Sequence, residues 1–339
     1  MTGDITGDDH ALARDDHALA RDDHALARDD HALARDDDHA LARDLAERAG
    51  RRLVELRARG GDPDVLRQAG DRLSHEFLTR ELADRRPGDI VLSEEGADHP
   101  ARLTARRVWI LDPLDGTREF GEPGRTDWAV HVALWERSDA SGPGDLTAGA
   151  VALPAQGRVL STVPAAERQQ CSIDVATTTS MFHRCGNSTP DRGDGASGGA
   201  DGDGGVSGRV GEASGRAGGA GEAPARLRIV VSRTRAPQFV RNIADLIGAE
   251  LVPLGSAGAK VAAVIDGEVD AYVHGGGFYE WDTAAPVAVA RAAGFYASRI
   301  DGSPLVYNQP DLLMPDILVC RPALAGTLKQ AIREVTHAP

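Results

Sequence analysis

The sequence has few of the features that mark membrane, secreted or nucleic-acid-binding proteins. Only 4% of its 339 residues are aromatic, it has 3 cysteines, and acidic side chains outnumber basic ones, for a formal charge of -14. No run of about 18 uncharged apolar residues occurs, which excludes a transmembrane helix, and we expect no secretory signal because no basic region is followed by an apolar stretch near the N-terminus. The odd, widely spaced cysteines predict neither disulfides nor a zinc site and fit a reducing cytoplasm. The acidic balance argues against duplex DNA or an anionic membrane as partner, but not against a phosphate ester, because bound divalent cations reverse the sign of a carboxylate-rich pocket.

Two low-complexity stretches stand apart from the rest of the chain. Residues 1–44 repeat Asp-Asp-His-Ala-Leu-Ala-Arg, with one Leu in each heptad instead of the two apolar positions of a coiled coil. Residues 186–224 hold 14 of the 39 glycines and almost no large apolar side chain. We therefore predict a disordered tail over 1–44 and a largely disordered insertion over 166–224. The remainder is predicted to form an N-terminal lobe, 45–165, and a C-terminal lobe, 225–339.

Hydrophobic periodicity in the two predicted lobes indicates alternating helices and strands. Short apolar runs bounded by turn residues predict strands, and longer amphipathic stretches predict helices. This alternation favours a layered α/β architecture. The predicted helices lie at 45–58, 69–84, 237–247, 257–265 and 282–293, and the predicted strands at 90–92, 108–111, within 128–135 and 148–163, and at 227–231, 250–253 and 269–274.

The segment after the predicted strand 108–111 carries the clearest chemical signal. The strand ends in Asp112, Pro113 fixes a bend, and Asp115 returns to the same side, so that both carboxylates and the Leu114 carbonyl can converge on one hard cation. The backbone N–H groups of the next two residues, Gly116 and Thr117, can then face an oxyanion. A cation beside phosphate-facing amides predicts metal-assisted phosphoryl transfer.

Two further segments place carboxylates at the ends of predicted elements. Glu94 follows the predicted strand 90–92 and could share a metal ion with the first segment. Asp282 lies at the start of a predicted helix, where an Asp is ordinarily an N-cap. Taken alone, Asp282 is therefore more typical of a helix cap than of a metal ligand.

Together these segments resemble the Mg²⁺-dependent, lithium-sensitive phosphatases, which include inositol monophosphatases, fructose-1,6-bisphosphatases and bisphosphate nucleotidases. The shared motif Asp-Pro-x-Asp-Gly-Thr is matched at 112–117, Trp-Asp-x-Ala-Ala at 281–285, and Glu-Glu at 94–95. The resemblance covers roughly 45–330, without 186–224. It implies a five-layered αβαβα sandwich, an α/β fold of the inositol monophosphatase type.

Within this superfamily the chain most resembles the 3'(2'),5'-bisphosphate nucleotidases of the CysQ type. Asp-Gly-Thr-Arg-Glu-Phe at 115–120 has Glu where inositol phosphatases usually have Asn. Leu-Ser-Glu-Glu at 92–95, Val-Ser-Arg-Thr-Arg at 231–235 and Gly-Ser-Ala-Gly-Ala-Lys at 255–260 also resemble nucleotidase segments. The resemblance implies a small phosphate ester, adenosine 3',5'-bisphosphate, as the substrate.

The resemblance also assigns roles to individual residues. As ligands of two Mg²⁺ ions it implies Glu94, Asp112, the Leu114 carbonyl, Asp115 and Asp282. As catalytic residues it implies Glu94 and Thr117, which orient and deprotonate the attacking water, and Asp71, near that water and a third ion. The segment before Asp71 lacks the Lys and the Ser/Thr-rich stretch that the family often has, which leaves the third ion open. As substrate contacts it implies Asp115, Gly116, Thr117, Ser232, Arg233, Ser256, Lys260 and Asp282.

The resulting hypothesis is a cytoplasmic, lithium-inhibited phosphatase, linked to sulfate assimilation, that converts adenosine 3',5'-bisphosphate to AMP and phosphate. One alternative is the same metal site acting on inositol 1-phosphate or fructose 1,6-bisphosphate. A second alternative is a non-catalytic protein that binds metal and polyphosphate. The sequence does not decide between a monomer and a homodimer.

Overall fold

Two five-stranded β-sheets alternate with three layers of helices in the part of the chain that the structure describes. This computed structural model describes residues 38–138, 142–163, 226–234 and 236–336. The α-helices are α1 (38–58), α2 (Pro63–Arg85), α3 (Thr117–Gly121), α4 (Gln238–Ile247), α5 (Ala257–Ile265), α6 (Glu280–Ala292) and α7 (Ala325–Thr336). The strands are β1 (Ile90–Ser93), β2 (Arg107–Asp115), β3 (Ala129–Arg137), β4 (Gly144–Leu153), β5 (Arg158–Ser161), β6 (Arg228–Ser232), β7 (Glu250–Leu254), β8 (Ala271–His274), β9 (Phe278–Tyr279), β10 (Tyr296–Ser298), β11 (Leu313–Met314) and β12 (Ile317–Cys320).

The first sheet has the strand order β1-β2-β3-β4-β5, and the second has the order β10-β12-β8-β6-β7. Strands β1 and β2 are parallel, whereas the remaining pairs of the first sheet are antiparallel. In the second sheet β6 is parallel to β7 and β8, and β12 is antiparallel to β8 and β10. Strands β9 and β11 form a separate antiparallel pair.

Side-chain alternation along the strands gives each sheet two buried faces. In β3, Val130, Val132 and Leu134 belong to a core shared with α1 and α2, whereas Ala129 and Ala133 belong to a core shared with α5 and α6. Both faces are apolar because helices cover both, so neither face of this sheet is left to water.

The second sheet is covered in the same way. In β6, Val230 packs in the core that contains α5 and α6, whereas Ile229 and Val231 pack with α4 and α7. The order of layers is therefore α1/α2, first sheet, α5/α6, second sheet, α4/α7. This arrangement confirms the predicted five-layered αβαβα sandwich.

The N-terminal boundary of the fold differs from the prediction. Residues 38–44, predicted to belong to a disordered tail, are the first two turns of α1. Leu41 and Ala42 are 1% and 0% exposed, because the last copy of the repeat continues the apolar face of α1. Asp38 is also buried and forms ion pairs with Arg86 and Arg107. The prediction of disorder is therefore wrong for 38–44.

Helix α2 begins six residues before its predicted start at 69. The Asp62 side chain accepts hydrogen bonds from the backbone N–H groups of Asp64 (2.9 Å) and Val65 (3.2 Å), and Pro63 occupies the first helical position. An Asp cap followed by Pro is a strong helix start, so the Gly-Gly-Asp-Pro segment both ends α1 and starts α2.

The remaining residues of the predicted tail, 1–37, and the predicted insertion, 166–224, lie outside the described residues. The described residues on both sides of the insertion belong to one compact unit. No helix among the described residues is long and apolar enough to cross a membrane.

Candidate active site

The carboxyl ends of β1 and β2 meet the N-terminal ends of α3, α5 and α6, and the predicted site residues lie at this junction. Strand β2 does not end at Asp112 as predicted but continues through Asp115, with a break in its register against β3 between these two residues. The break replaces the predicted bend and sends both carboxylates to one side. Asp112 is 1% exposed, and its Oδ1 accepts a hydrogen bond from the backbone N–H of Leu114 (3.1 Å).

Asp115 is held by donors from two other elements. Its Oδ2 accepts hydrogen bonds from the Ser256 hydroxyl (2.5 Å) and the Gly258 backbone N–H (2.9 Å), and it lies 3.1 Å from Nε2 of His131. Burial alone raises the pKa of Asp115, but the charges of His131 and Lys260 and the Ser256 hydrogen bond lower it to about 2. Asp115 is therefore an anion in a compensated environment.

The other three predicted carboxylates lie in the opposite electrostatic environment. Burial raises the pKa of Asp112 well above its ordinary value, and the charges of Glu94, Asp115 and Asp282 raise it further. Desolvation and the charge of Asp282 raise the pKa of Glu94 to about 8, while a hydrogen bond with Asp112 acts to lower it. The residue as a whole is nevertheless exposed. Burial and Asp115 raise the pKa of Asp282 to about 6. The cluster is thus short of positive charge.

This donor set fits a hard divalent cation. Carboxylates that raise one another's pKa lie close together here, and oxygen is the donor that Mg²⁺ prefers. Ligand atoms of Asp112, Asp115 and His131 lie within 4.8 Å of one another, so this part of the cluster could hold an ion. Asp282 is not the N-cap that its predicted position suggested, because Tyr279 is the N-cap of α6; Asp282, the third residue of the helix, supports this cap, since its Oδ2 accepts the backbone N–H of Tyr279 at 2.6 Å. Support of the cap and metal binding are compatible roles for Asp282.

Thr117 and Asp71 lie together beside the cluster. The Thr117 hydroxyl donates to the Leu114 carbonyl (3.0 Å) and lies 3.5 Å from Oδ1 of Asp71, which α2 contributes from 46 residues earlier in the chain. Burial and the charge of Glu95 raise the pKa of Asp71 to about 7, while Thr117 and Arg67 act to lower it. The structure therefore brings Asp71 to the site even though its flanking sequence departs from the family pattern.

The start of α5 carries an unusual backbone conformation. Ser256, its N-cap, has a φ of 28°, which a residue with a side chain rarely adopts. Its hydroxyl bridges Asp115 and the backbone N–H of Ala259 (3.0 Å), and its carbonyl accepts a hydrogen bond from Nζ of Lys260 (2.9 Å). Lys260 is itself buried, which lowers its pKa, and lies over the ring of Tyr272.

An open cavity of about 610 Å³ adjoins the carboxylates. Arg233 lines it and is held by Glu119, whose Oε1 accepts hydrogen bonds from Nε (3.1 Å) and Nη2 (2.7 Å), and by Glu122 (2.8 Å). All the predicted substrate contacts line this cavity, namely Asp115, Gly116, Thr117, Ser232, Arg233, Ser256, Lys260 and Asp282. Sequence analysis did not identify its aromatic side, which consists of Tyr272, His274 and Phe278.

His131 is the other residue that sequence analysis missed. It is a single histidine in an apolar strand, and the motif contains no signal for it. Only the register of β3 against β2, which places His131 directly opposite Asp112, brings it to the site.

The chain is similar in sequence and in fold to known proteins. The model of the Inositol monophosphatase family matches residues 39–191 and 219–337. The chain is 46% identical over 303 residues to a protein of Mycobacterium leprae named 3'-phosphoadenosine 5'-phosphate phosphatase, covering 88% of this chain and 94% of the relative. A protein of the same name from Mycobacterium bovis is 45% identical over 288 residues, with 84% and 90% covered. Among solved structures, inositol monophosphatase II of Staphylococcus aureus has the same fold, with a TM-score of 0.60, 18% identity, and 88% and 96% of the two chains covered.

Proposed function

Because the chain belongs to the inositol monophosphatase family, we propose that it is a Mg²⁺-dependent phosphatase that hydrolyses the 3'-phosphate of adenosine 3',5'-bisphosphate. The observation that carries the proposal is the meeting of a buried carboxylate cluster with a cavity lined by Lys260 and Arg233. The cluster supplies a place for cations, and the cavity supplies positive charge for a substrate with two phosphates. The names of the curated relatives support the same substrate.

The proposed metal ligands combine the compensated anion Asp115 with three carboxylates whose repulsion is unrelieved in the free protein. We propose that two Mg²⁺ ions are held by Glu94, Asp112, the Leu114 carbonyl, Asp115 and Asp282, whereas Asp71 is proposed as a catalytic residue beside them. When bound, such ions neutralise charge on the phosphate oxygens and lower the pKa of water. The raised pKa values of Glu94, Asp112 and Asp282 support this assignment, because a divalent cation relieves the repulsion that raises them.

Residues of the chain itself would orient the attacking water. The Thr117 hydroxyl lies between the Leu114 carbonyl and the Asp71 carboxylate, so Thr117 can hold a water beside a group able to take its proton. A pKa of about 7 suits Asp71 to accept a proton near neutral pH. Glu94, whose electrostatic neighbours include Asp112 and Asp282, is proposed to orient the same water.

The cavity supports a nucleotide over an inositol phosphate. Its volume of about 610 Å³ is in the range of sites for nucleotide-sized ligands. The rings of His274 and Phe278 line one side of the cavity, packed edge to face with centroids 5.1 Å apart, and the face of an aromatic ring that lines a cavity can stack on a nucleobase. Arg233, fixed by two carboxylates, is placed to bind the phosphate that is not hydrolysed. Ser232, Ser256 and Lys260 would contact the remaining polar groups.

A comparison of three substrates tests the proposal. Phosphate release would be measured from adenosine 3',5'-bisphosphate, inositol 1-phosphate and fructose 1,6-bisphosphate at equal concentration, with Mg²⁺, with EDTA and with added Li⁺. We expect the nucleotide to give the highest kcat/KM, with loss of activity in EDTA and inhibition by Li⁺. Faster release from either other ester would refute the substrate assignment, and no release from any of the three would favour a binding protein. A cytoplasmic location and a link to sulfate assimilation stay predictions from the sequence, which does not decide between a monomer and a homodimer.

A further inference from the structure

His131 lies behind the proposed metal ligands and contacts more than one of the segments that carry them. Its side chain is 0% exposed, on the face of β3 that is turned toward the central helices. Nδ1 lies 3.2 Å from the carbonyl oxygen of Trp281, the residue before Asp282, and Nε2 lies 3.1 Å from Oδ2 of Asp115. Nδ1 is also 3.9 Å from Oδ2 of Asp112. One ring therefore joins the end of β2 to the start of α6.

The start of α5 closes the space around this ring. A Cβ atom at Gly258 would lie 2.3 Å from Nε2 of His131, so only glycine allows α5 to approach so closely. The backbone N–H of Gly258 donates to Oδ2 of Asp115, the oxygen that also faces His131. The imidazole is thus wedged between β2, α5 and α6 and has little freedom to turn.

The contacts to Asp115 all fall on one of its two oxygens. Ser256 and Gly258 donate hydrogen bonds to Oδ2 from the start of α5, and Nε2 of His131 faces the same oxygen from the neighbouring strand at ion-pair distance, outside hydrogen-bond geometry. A carboxylate whose one oxygen is held in this way presents its other oxygen, Oδ1, in a fixed direction. Groups that orient metal ligands from behind raise metal affinity, because the free protein already has the geometry of the bound state.

We propose that His131 is a positioning residue that fixes Asp115 through Nε2 and the Trp281–Asp282 turn through Nδ1, so that the two carboxylates share one cation. This inference rests on the proposed function, since it assumes that Asp115 and Asp282 bind Mg²⁺. The Nε2 contact is the one that reaches a metal ligand directly, and the Nδ1 contact fixes the plane of the ring.

Two amide substitutions separate these contacts. The amide nitrogen of Gln reaches about as far as Nε2 of histidine, whereas that of Asn reaches only about as far as Nδ1. His131→Gln therefore keeps a donor for Asp115, and His131→Asn keeps one only for the Trp281 carbonyl. Leu134→Ala, in the same strand but in the core with α1 and α2, is the control for loss of packing alone.

Mg²⁺ binding to the full-length proteins would be measured by calorimetry without substrate, and the fold by circular dichroism. We expect His131→Asn to bind Mg²⁺ about 10–100-fold more weakly than wild type, which is the usual effect of removing such a supporting group. His131→Gln should retain most of the affinity, and Leu134→Ala should have a lower melting temperature at unchanged affinity. The same order should appear in the Mg²⁺ concentration that gives half-maximal phosphate release.

Equal Mg²⁺ affinity of His131→Asn and His131→Gln would overturn the positioning role, as would a matching loss in Leu134→Ala. A nitrogen bonded directly to bound Mn²⁺, detected by pulsed electron paramagnetic resonance in wild type and absent from both variants, would also overturn it by making His131 a ligand. Failure of the wild-type protein to bind Mg²⁺ at all would instead refute the metal site itself, and the inference with it.

Discussion

The two aspartates of the 112–115 segment predict opposite effects of the same substitution. Asp112 and Asp115 are both buried, both are proposed metal ligands, and both lose their charge when replaced by Asn. The pKa of Asp115 is lowered to about 2, because His131, Lys260 and Ser256 outweigh burial. The pKa of Asp112 is raised, because its neighbours are other carboxylates. Without metal, one ionised carboxylate therefore stabilises the fold and the other destabilises it.

The magnitude for Asp115 follows from its pKa, which falls from an ordinary value of 3.8 to about 2 and so corresponds to roughly 2 kcal/mol. Because the pKa is lower in the folded protein, this stability is present above pH about 4 and is lost as the pH falls through about 2. At pH 7.5, Asp115→Asn should therefore cost about 2 kcal/mol, or about 4–8 °C in melting temperature for a domain of this size.

For Asp112 the effect of pH on stability has the opposite sign. Its pKa is higher in the folded protein, so stability decreases as the pH rises above about 4, where the carboxyl ionises freely in the unfolded chain but only against its neighbouring carboxylates in the folded protein. Asn at position 112 removes the charge and keeps an oxygen to accept the hydrogen bond from the Leu114 backbone N–H. Asp112→Asn should consequently raise the melting temperature of the metal-free protein.

Thermal unfolding, followed by circular dichroism at pH 7.5 in EDTA, measures the change in melting temperature of both variants. Asp84→Asn, at an exposed position near the end of α2, is the control whose melting temperature should equal that of wild type. With Mg²⁺ present, phosphate release should be lost in Asp112→Asn and Asp115→Asn and kept in Asp84→Asn. A fall in melting temperature of similar size for both site variants would refute the electrostatic interpretation. Undiminished turnover in a folded Asp112→Asn protein would refute the metal assignment.

Two further substitutions test the surroundings of the site. Glu119→Gln removes the charge that fixes Arg233. In steady-state kinetics we therefore expect the KM for adenosine 3',5'-bisphosphate to rise about tenfold (about 1.4 kcal/mol) at nearly constant kcat. An equal rise in Glu122→Gln, at the more exposed partner of Arg233, would contradict this role. Arg102→Ala removes a buried guanidinium that pairs with Asp98 and donates to Asn308 and to the Gln309 carbonyl, so urea denaturation should show a loss of about 3 kcal/mol. Arg106→Ala, on the exposed side of the same segment, should stay within about 0.5 kcal/mol of wild type, and a similar loss there would contradict the assignment.

The site carboxylates could be predicted from the sequence because each lies at the end of a strongly patterned element. Apolar runs predicted β1 and β2, and the parallel pairing of these two strands places their carboxyl ends, with Glu94 and Asp112, side by side. Asp282 lies at the start of a helix that alternation also predicted. In all three cases local sequence determines the element, and the rules of sheet topology determine which ends meet.

The contacts that orient those carboxylates could not be predicted in the same way. His131 reaches the site through strand register, and Gly258 through the close approach of α5, neither of which leaves a local pattern. Strands β9 and β11 have two residues each, too few for any periodicity, and form only because they pair with one another. Helix α7 is different, since the spacing of Leu328, Ala331 and Ile332 marks an apolar face that could have been recognised.

Ser256 shows why the site favours function over local stability. Glycine at this position would remove the strain of a φ of 28°. Glycine would also remove the hydroxyl that donates to Asp115 and accepts the Ala259 N–H, and would leave Oδ2 of Asp115 with fewer donors. The strained conformation thus fixes the Asp115 carboxylate, while the neighbouring carboxylates stay incompletely neutralised in the free protein, where cations and a phosphate ester can complete the balance.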